Sequence, residues 1–150
     1  MTQKDESNGG RQILVVAGQS AVRGFDRDTG DPVWSFEIRG TPGLFVGPAR
    51  VPGAIELAIH GDRVIAATTE RLVWLDYATG ALITDVRLGA RGHRPSFVID
   101  GDRIYLATGV DLACYGLDGK LEWRRKLGEW DAVHAFALGF PGNLRQGDYS

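Results

Sequence analysis

The chain has 150 residues, 43% hydrophobic and 24% charged, with a net charge of −2. That suits one soluble domain with a real core and offers no basic surface for nucleic acid or anionic membrane. The lone cysteine, Cys114, sits in an apolar run, which excludes an intrachain disulfide framework and predicts a buried, inert thiol.

Residues 1–11 are polar, charged and Gly-rich and are expected to form a disordered tail. They contain no apolar signal-peptide core, and no run approaches the ~18 apolar residues needed to span a bilayer. A cytoplasmic location is expected by default. From residue 12 the chain alternates short β-rich runs with Gly, Asp and Asn breaks, and helical periodicity is absent. The predicted strands are Ile13–Ala17, Ala21–Phe25 and Val33–Ile38, then Ile55–His60, Arg63–Thr68, Arg71–Asp76 and Leu82–Arg87. Ser96–Asp100, Arg103–Thr108, Asp111–Tyr115 and Leu121–Lys126 follow, and a last run, Val133–Leu138, stands alone. Repeats are expected over 12–139 and a polar C-terminal tail over 140–150.

These runs repeat. Gly61-Asp62-Arg63 returns as Gly101-Asp102-Arg103, and Ala67-Thr68 as Ala107-Thr108. Gly30, Gly80 and Gly119 are each followed four residues later by Trp34, Thr84 and Trp123. Val64-Ile65-Ala66-Ala67 and Ile104-Tyr105-Leu106-Ala107 are apolar on both faces, as strands covered on both sides must be. Four short strands per unit, recurring at roughly 40 residues, describe a propeller blade. The fold class is therefore all-β, a β-propeller. Asp26 with Gly30, and Asp76 with Gly80, suit hairpin turns that need an aspartate at the start and a left-handed glycine. Gly119 ends a shorter version. No calcium-loop spacing is present.

The stretches Val73-Trp74-Leu75-Asp76 with Thr79-Gly80, and Phe25-Asp26 with Thr29-Gly30 and Trp34, resemble the PQQ-like (pyrroloquinoline-quinone-type) propeller repeat. The third copy departs, with Gly116 in place of the aspartate and a shortened turn. The resemblance covers roughly residues 12–139. It implies that Trp34 and Trp123 pack blade on blade, and it says little of function, since the repeat serves dehydrogenases and non-enzymatic scaffolds alike.

With strands lettered a to d from the axis outward, the chain holds three blade-equivalents. It opens on strand b and closes on a single strand a, so one blade is split between N- and C-termini. Three blades cannot close a ring that takes roughly 4–8. The expectation is a whole chain, beginning at Met1, that forms a homodimer and a six-bladed ring; the alternative is a fragment of a longer propeller, or a ring whose missing blades another chain supplies. Val133, Ala135, Phe136 and Leu138 of one copy would complete the first blade of the other. About six apolar side chains at ~1.5–3 kcal/mol each would drive each joint.

Candidate site residues lie on the non-repeating loops. Arg91-Gly92-His93-Arg94 is basic and suits an anion or acidic peptide, or is a solvated loop. Phe45 sits in an apolar insertion, Thr41–Gly53, that suits partner docking or a cap on the ring end. Trp130 has no repeat equivalent. His60, His93 and His134 show no metal spacing, and no catalytic motif is present. No cofactor is expected. The first reading is a non-enzymatic scaffold that presents its mouth loops to another protein. A small-ligand or carbohydrate-binding propeller is the alternative, and an enzyme with a site at the channel mouth is the third. Gly24, Trp74 and Cys114 occupy equivalent positions, and their unequal volumes argue against a ligand site repeated in every blade.

Overall fold

The computed structural model describes residues 12–18, 21–38, 45–46, 49–50, 55–68, 70–88, 95–108, 111–127, 137–140 and 143–146. The first sheet contains β1 (Ile13–Gly18), β2 (Ala21–Asp26) and β3 (Pro32–Glu37). A two-stranded pair, β4 (Phe45–Val46) and β5 (Ala49–Arg50), follows within the insertion. The second sheet is β6 (Glu56–His60), β7 (Arg63–Ala67), β8 (Arg71–Asp76) and β9 (Leu82–Arg87). The third is β10 (Pro95–Asp100), β11 (Arg103–Thr108), β12 (Asp111–Gly116) and β13 (Leu121–Lys126). Last come β14 (Ala137–Phe140) and β15 (Asn143–Gln146), paired with each other. The three larger sheets are antiparallel in chain order and resemble propeller blades 1, 2 and 3.

The core lies between the blades. Ile13, Val15, Val22 and Ile38 of blade 1 pack against Val64, Ala66, Val73 and Leu75 of blade 2. The alternate residues of blade 2, Ile65, Ala67, Leu72 and Trp74, turn to Phe97, Ile104, Leu106, Ala113 and Tyr115 of blade 3. Blade 2 is thus apolar on both faces because both faces are covered.

The same turn recurs in each blade. Asp26 Oδ1 accepts from the amides of Asp28 (2.8 Å) and Thr29 (3.1 Å), and Asp76 Oδ2 from Thr79 N (2.9 Å). Gly30 and Gly80 then donate to the Asp26 and Asp76 carbonyls with φ of +77° and +73°. In the shortened third turn the carboxylate moves to Asp118, whose Oδ1 accepts from Lys120 N at 3.0 Å. Asp118 folds back until a methyl at residue 116 would lie 2.6 Å from its Oδ1, which explains Gly116 where the other turns have Asp. Each blade also carries a bulge on its last strand, just past the pairs Gly24–Trp34, Trp74–Thr84 and Cys114–Trp123.

The C-terminal segment differs from the sequence reading. The expected strand Val133–Leu138 falls outside the described residues up to residue 136; β14 begins at Ala137 and runs on to Phe140, and a further strand, β15, stands where a polar tail is expected. The runs Ala137–Phe140 and Asn143–Gln146 flank Pro141-Gly142, and two short runs about such a dipeptide are a hairpin signal. The pair β4–β5 was likewise read as loop. Residues 1–11, expected to be disordered, lie outside the described residues, as do Val133, Ala135 and Phe136.

Substituting the turn glycines separates backbone strain from packing. Gly101 has φ +59° and open space around a methyl, so Gly101→Ala should cost about 1–2 kcal/mol for the left-handed backbone alone. At Gly80 the methyl would lie 2.5 Å from Trp34 Cδ2, so Gly80→Ala should cost about 1–3 kcal/mol more by overpacking. Urea unfolding of both variants checks the difference.

Candidate interaction surfaces

The joint between blades is built on one tryptophan. Trp34 lies across its strand neighbour Gly24, where a methyl would come within 2.5 Å of Cε2. It also lies against Gly80, in the turn of the next blade. Its Nε1 donates to the Tyr77 carbonyl at 3.0 Å. Any side chain at Gly24 or Gly80 would push the indole out.

Blade 2 exchanges the two halves of this pair. The large residue is Trp74 on the third strand, 1% exposed, and the small one is Thr84 on the fourth. Gly119 of blade 3 receives them: a methyl there would sit 2.8 Å from Thr84 Cγ2, 3.2 Å from Val86 Cγ2 and 3.9 Å from Trp74 Cζ3. The indole N–H of Trp74 finds no acceptor among the described residues. Blade 3 has Cys114 opposite Trp123. The unequal volumes of Gly24, Trp74 and Cys114 are therefore balanced one strand away, and the joint needs one tryptophan from either strand.

Two blade faces have no blade against them among the described residues. On blade 1, Leu14 and Val16 are 55% and 47% exposed, beside exposed Arg23 and half-buried Phe25. Their counterparts on blade 2, Val64, Ala66, Val73 and Leu75, are all buried. Among the described residues blade 1 has no strand inside β1, and Ile59 of β6 is 47% exposed. On blade 3, Trp123 and Tyr105 form a half-buried pair with ring centroids 6.2 Å apart, beside Cys114.

The open edge of β1 is partly sealed. Arg27 N–H bonds the Gln12 carbonyl at 3.0 Å, so in antiparallel alternation the N–H and C=O of Ile13 point away from β2. Tyr77 Oη takes both, accepting from Ile13 N at 2.7 Å and donating to Ile13 O at 2.8 Å. A strand added to this edge is left the stretch beyond Ile13. At the other end of the chain, β10 lies beside β6 and also beside β14 and β15. Ser96 and Val98, on the face of β10 turned away from blade 2, are buried.

Of the candidates named from sequence, Phe45 lies in β4 opposite Arg50. Arg91, His93, Arg94 and Trp130 lie outside the described residues. Asp26, Gly30, Asp76, Gly80 and Gly119 form the turns, and Trp34 and Trp123 carry the blade faces. Leu138 is in β14 and half-buried. Sequence reasoning missed Leu14, Val16, Ile59, Tyr77 and Tyr105. Both-face apolarity in β1 was the available signal for the first two. Among the described residues no group of three His, Cys, Asp or Glu lies together to hold a metal.

Cys114 gives the blade 3 face a pH signature. Burial, then the Sγ–H donated to Glu122 Oε2 at 3.4 Å, pushes its pKa up. The folded chain then keeps the proton to higher pH than the unfolded chain. Its contribution to stability is full below the unfolded thiol value, near ~8.5, and is lost as pH rises through the folded value. The urea midpoint should fall across that window, and Cys114→Ala should flatten the part of the slope due to the thiol.

A family model described as outer membrane protein assembly factor BamB matches residues 4–96, well over half of the chain. Among curated proteins none matches. The crystal structure of BamB from Moraxella catarrhalis superposes with a TM-score of 0.54 at 19% identity, over 85% of this chain and 43% of that one. The chain thus spans under half the length of that relative, and the likeness speaks for the fold. With the match over residues 4–96 and three blade-like sheets in sequence, this chain is a partial propeller and belongs to the BamB-like PQQ-repeat β-propeller family.

Proposed function

We propose that the chain is a non-enzymatic propeller scaffold that works by protein contact: two copies join into a six-bladed ring whose mouth loops engage another protein. The observation that carries this reading is the pair of blade faces left uncovered among the described residues, with Leu14 and Val16 exposed on one side and Trp123 with Tyr105 half-buried on the other. Apolar area of this kind on a blade is a joint surface, since the equivalent residues inside the chain are buried between blades. The family description, which names an assembly factor, supports contact rather than chemistry as the working principle.

The join proposed here is face against face. A closing strand from the other copy would be left the stretch of β1 beyond Ile13, because Tyr77 holds Ile13. The hairpin β14–β15, lying beside β10, would occupy the place inside β1 of the other copy that no described strand fills.

Light scattering should return twice 16.3 kDa at low micromolar concentration, and a 16.3 kDa particle would contradict the ring. Partner engagement is read separately, by affinity purification of the native protein. Arg91→Glu/Arg94→Glu and Phe45→Ala/Trp130→Ala should each lose partners that the unchanged chain retains. Retention of every partner by both variants would remove these loops from the contact surface.

A further inference from the structure

Within the chain each inter-blade joint has two halves, and among the described residues blades 1 and 3 each carry one half without its counterpart. Blade 3 has a tryptophan, Trp123, with no turn glycine against it among the described residues. Blade 1 has a turn glycine, Gly30, with φ +77° like Gly80, but a methyl there would meet nothing within 4 Å. At Gly80 the same space is filled by Trp34, and at Gly119 by Thr84 and Val86.

We propose that Trp123 of one copy seats on the Gly30 turn of a second copy, so that the two chains close head to tail through two identical joints. This rests on the reading that two copies assemble, and it names the surfaces that meet. By the internal pattern, Trp123 Nε1 would face the Arg27 carbonyl, the counterpart of the Tyr77 carbonyl that accepts from Trp34. The apolar residues Leu14, Val16 and Phe25 would pack under Tyr105 and Trp123, as Val64, Ala66 and Leu75 pack under blade 1.

Charge selects the partner. Val86, which lies 3.2 Å from the methyl position of Gly119, has Arg125 as its counterpart in blade 3, by pairing with Leu72 and Leu112 respectively. Arg125 is exposed and would reach the Gly30 turn of the second copy. That turn is flanked by Asp28 and Asp31, both exposed. Neither internal joint has this arrangement, because Ala78 and Ala81 flank Gly80, and Asp118 and Lys120 flank Gly119. An acidic turn opposite an arginine steers the free faces to each other and disfavours a blade 3 face meeting its own kind.

Charge reversal on exposed positions tests this without touching the core. The unchanged chain should sediment as a dimer. Arg125→Glu alone, and Asp28→Arg/Asp31→Arg alone, should each weaken the dimer about tenfold or more. Mixed in equal amounts, they should form a heterodimer near the unchanged affinity. In that pair one joint has its charges exchanged and the other is unaltered. Gly30→Ala should also weaken the dimer, while Gly101→Ala, equally left-handed and away from the joint, should not. If the unchanged chain is a dimer and both reversals stay dimeric, or the mixture fails to recover, these faces are not the joint, although the dimer stands. If the unchanged chain is a monomer, the dimer and the joint are both overturned.

Discussion

An indole lying on a glycine sets the spacing of this protein. The flat ring of Trp34 fills the gap between two twisted sheets only because Gly24 beneath it and Gly80 beyond it have no side chains. Burying such a ring, with its N–H given to the Tyr77 carbonyl, satisfies apolar area and hydrogen bonding together. The turn that supplies Gly80 is in turn held by Asp76, whose carboxylate gathers the amide and hydroxyl of Thr79. Turn chemistry and blade packing are therefore one device: the aspartate shapes the turn, the turn requires glycine, and the glycine admits the ring.

Because the device is modular, its parts can trade places. The large residue sits on the last strand in blades 1 and 3 and on the strand before it in blade 2, always in the same registered pair ahead of the same bulge. The constraint acts on the volume of the pair and not on either position.

Much of the fold was legible in the residues. Glycines, aspartates and both-face apolarity marked the strands of blades 2 and 3, because local turn chemistry and burial act together there. The hairpin β14–β15 left only the Pro141-Gly142 turn as a trace, since Ala137–Phe140 and Asn143–Gln146 are short and the second is polar. The candidate surface was legible only in part. Trp34 and Trp123 announced a packing role, but the exposure of Ile59 depends on what stands beside β6 in the fold, and Tyr77 matters because its hydroxyl reaches Ile13, 64 residues away. Neither fact leaves a local trace. The exchange between Trp74–Thr84 and Gly24–Trp34 likewise needs the cross-strand register, which a list of equivalent positions does not contain.

A double-mutant cycle in blade 2 tests the volume rule most directly. Trp74→Gly together with Thr84→Trp rewrites that blade in the pattern of blade 1, and urea unfolding measures the two single variants and the double. If one tryptophan per registered pair is what the joint requires, the double variant should be more stable than Trp74→Gly alone, with a favourable coupling of about 1 kcal/mol or more. Losses that simply add, leaving the double variant the least stable of the three, would contradict the account.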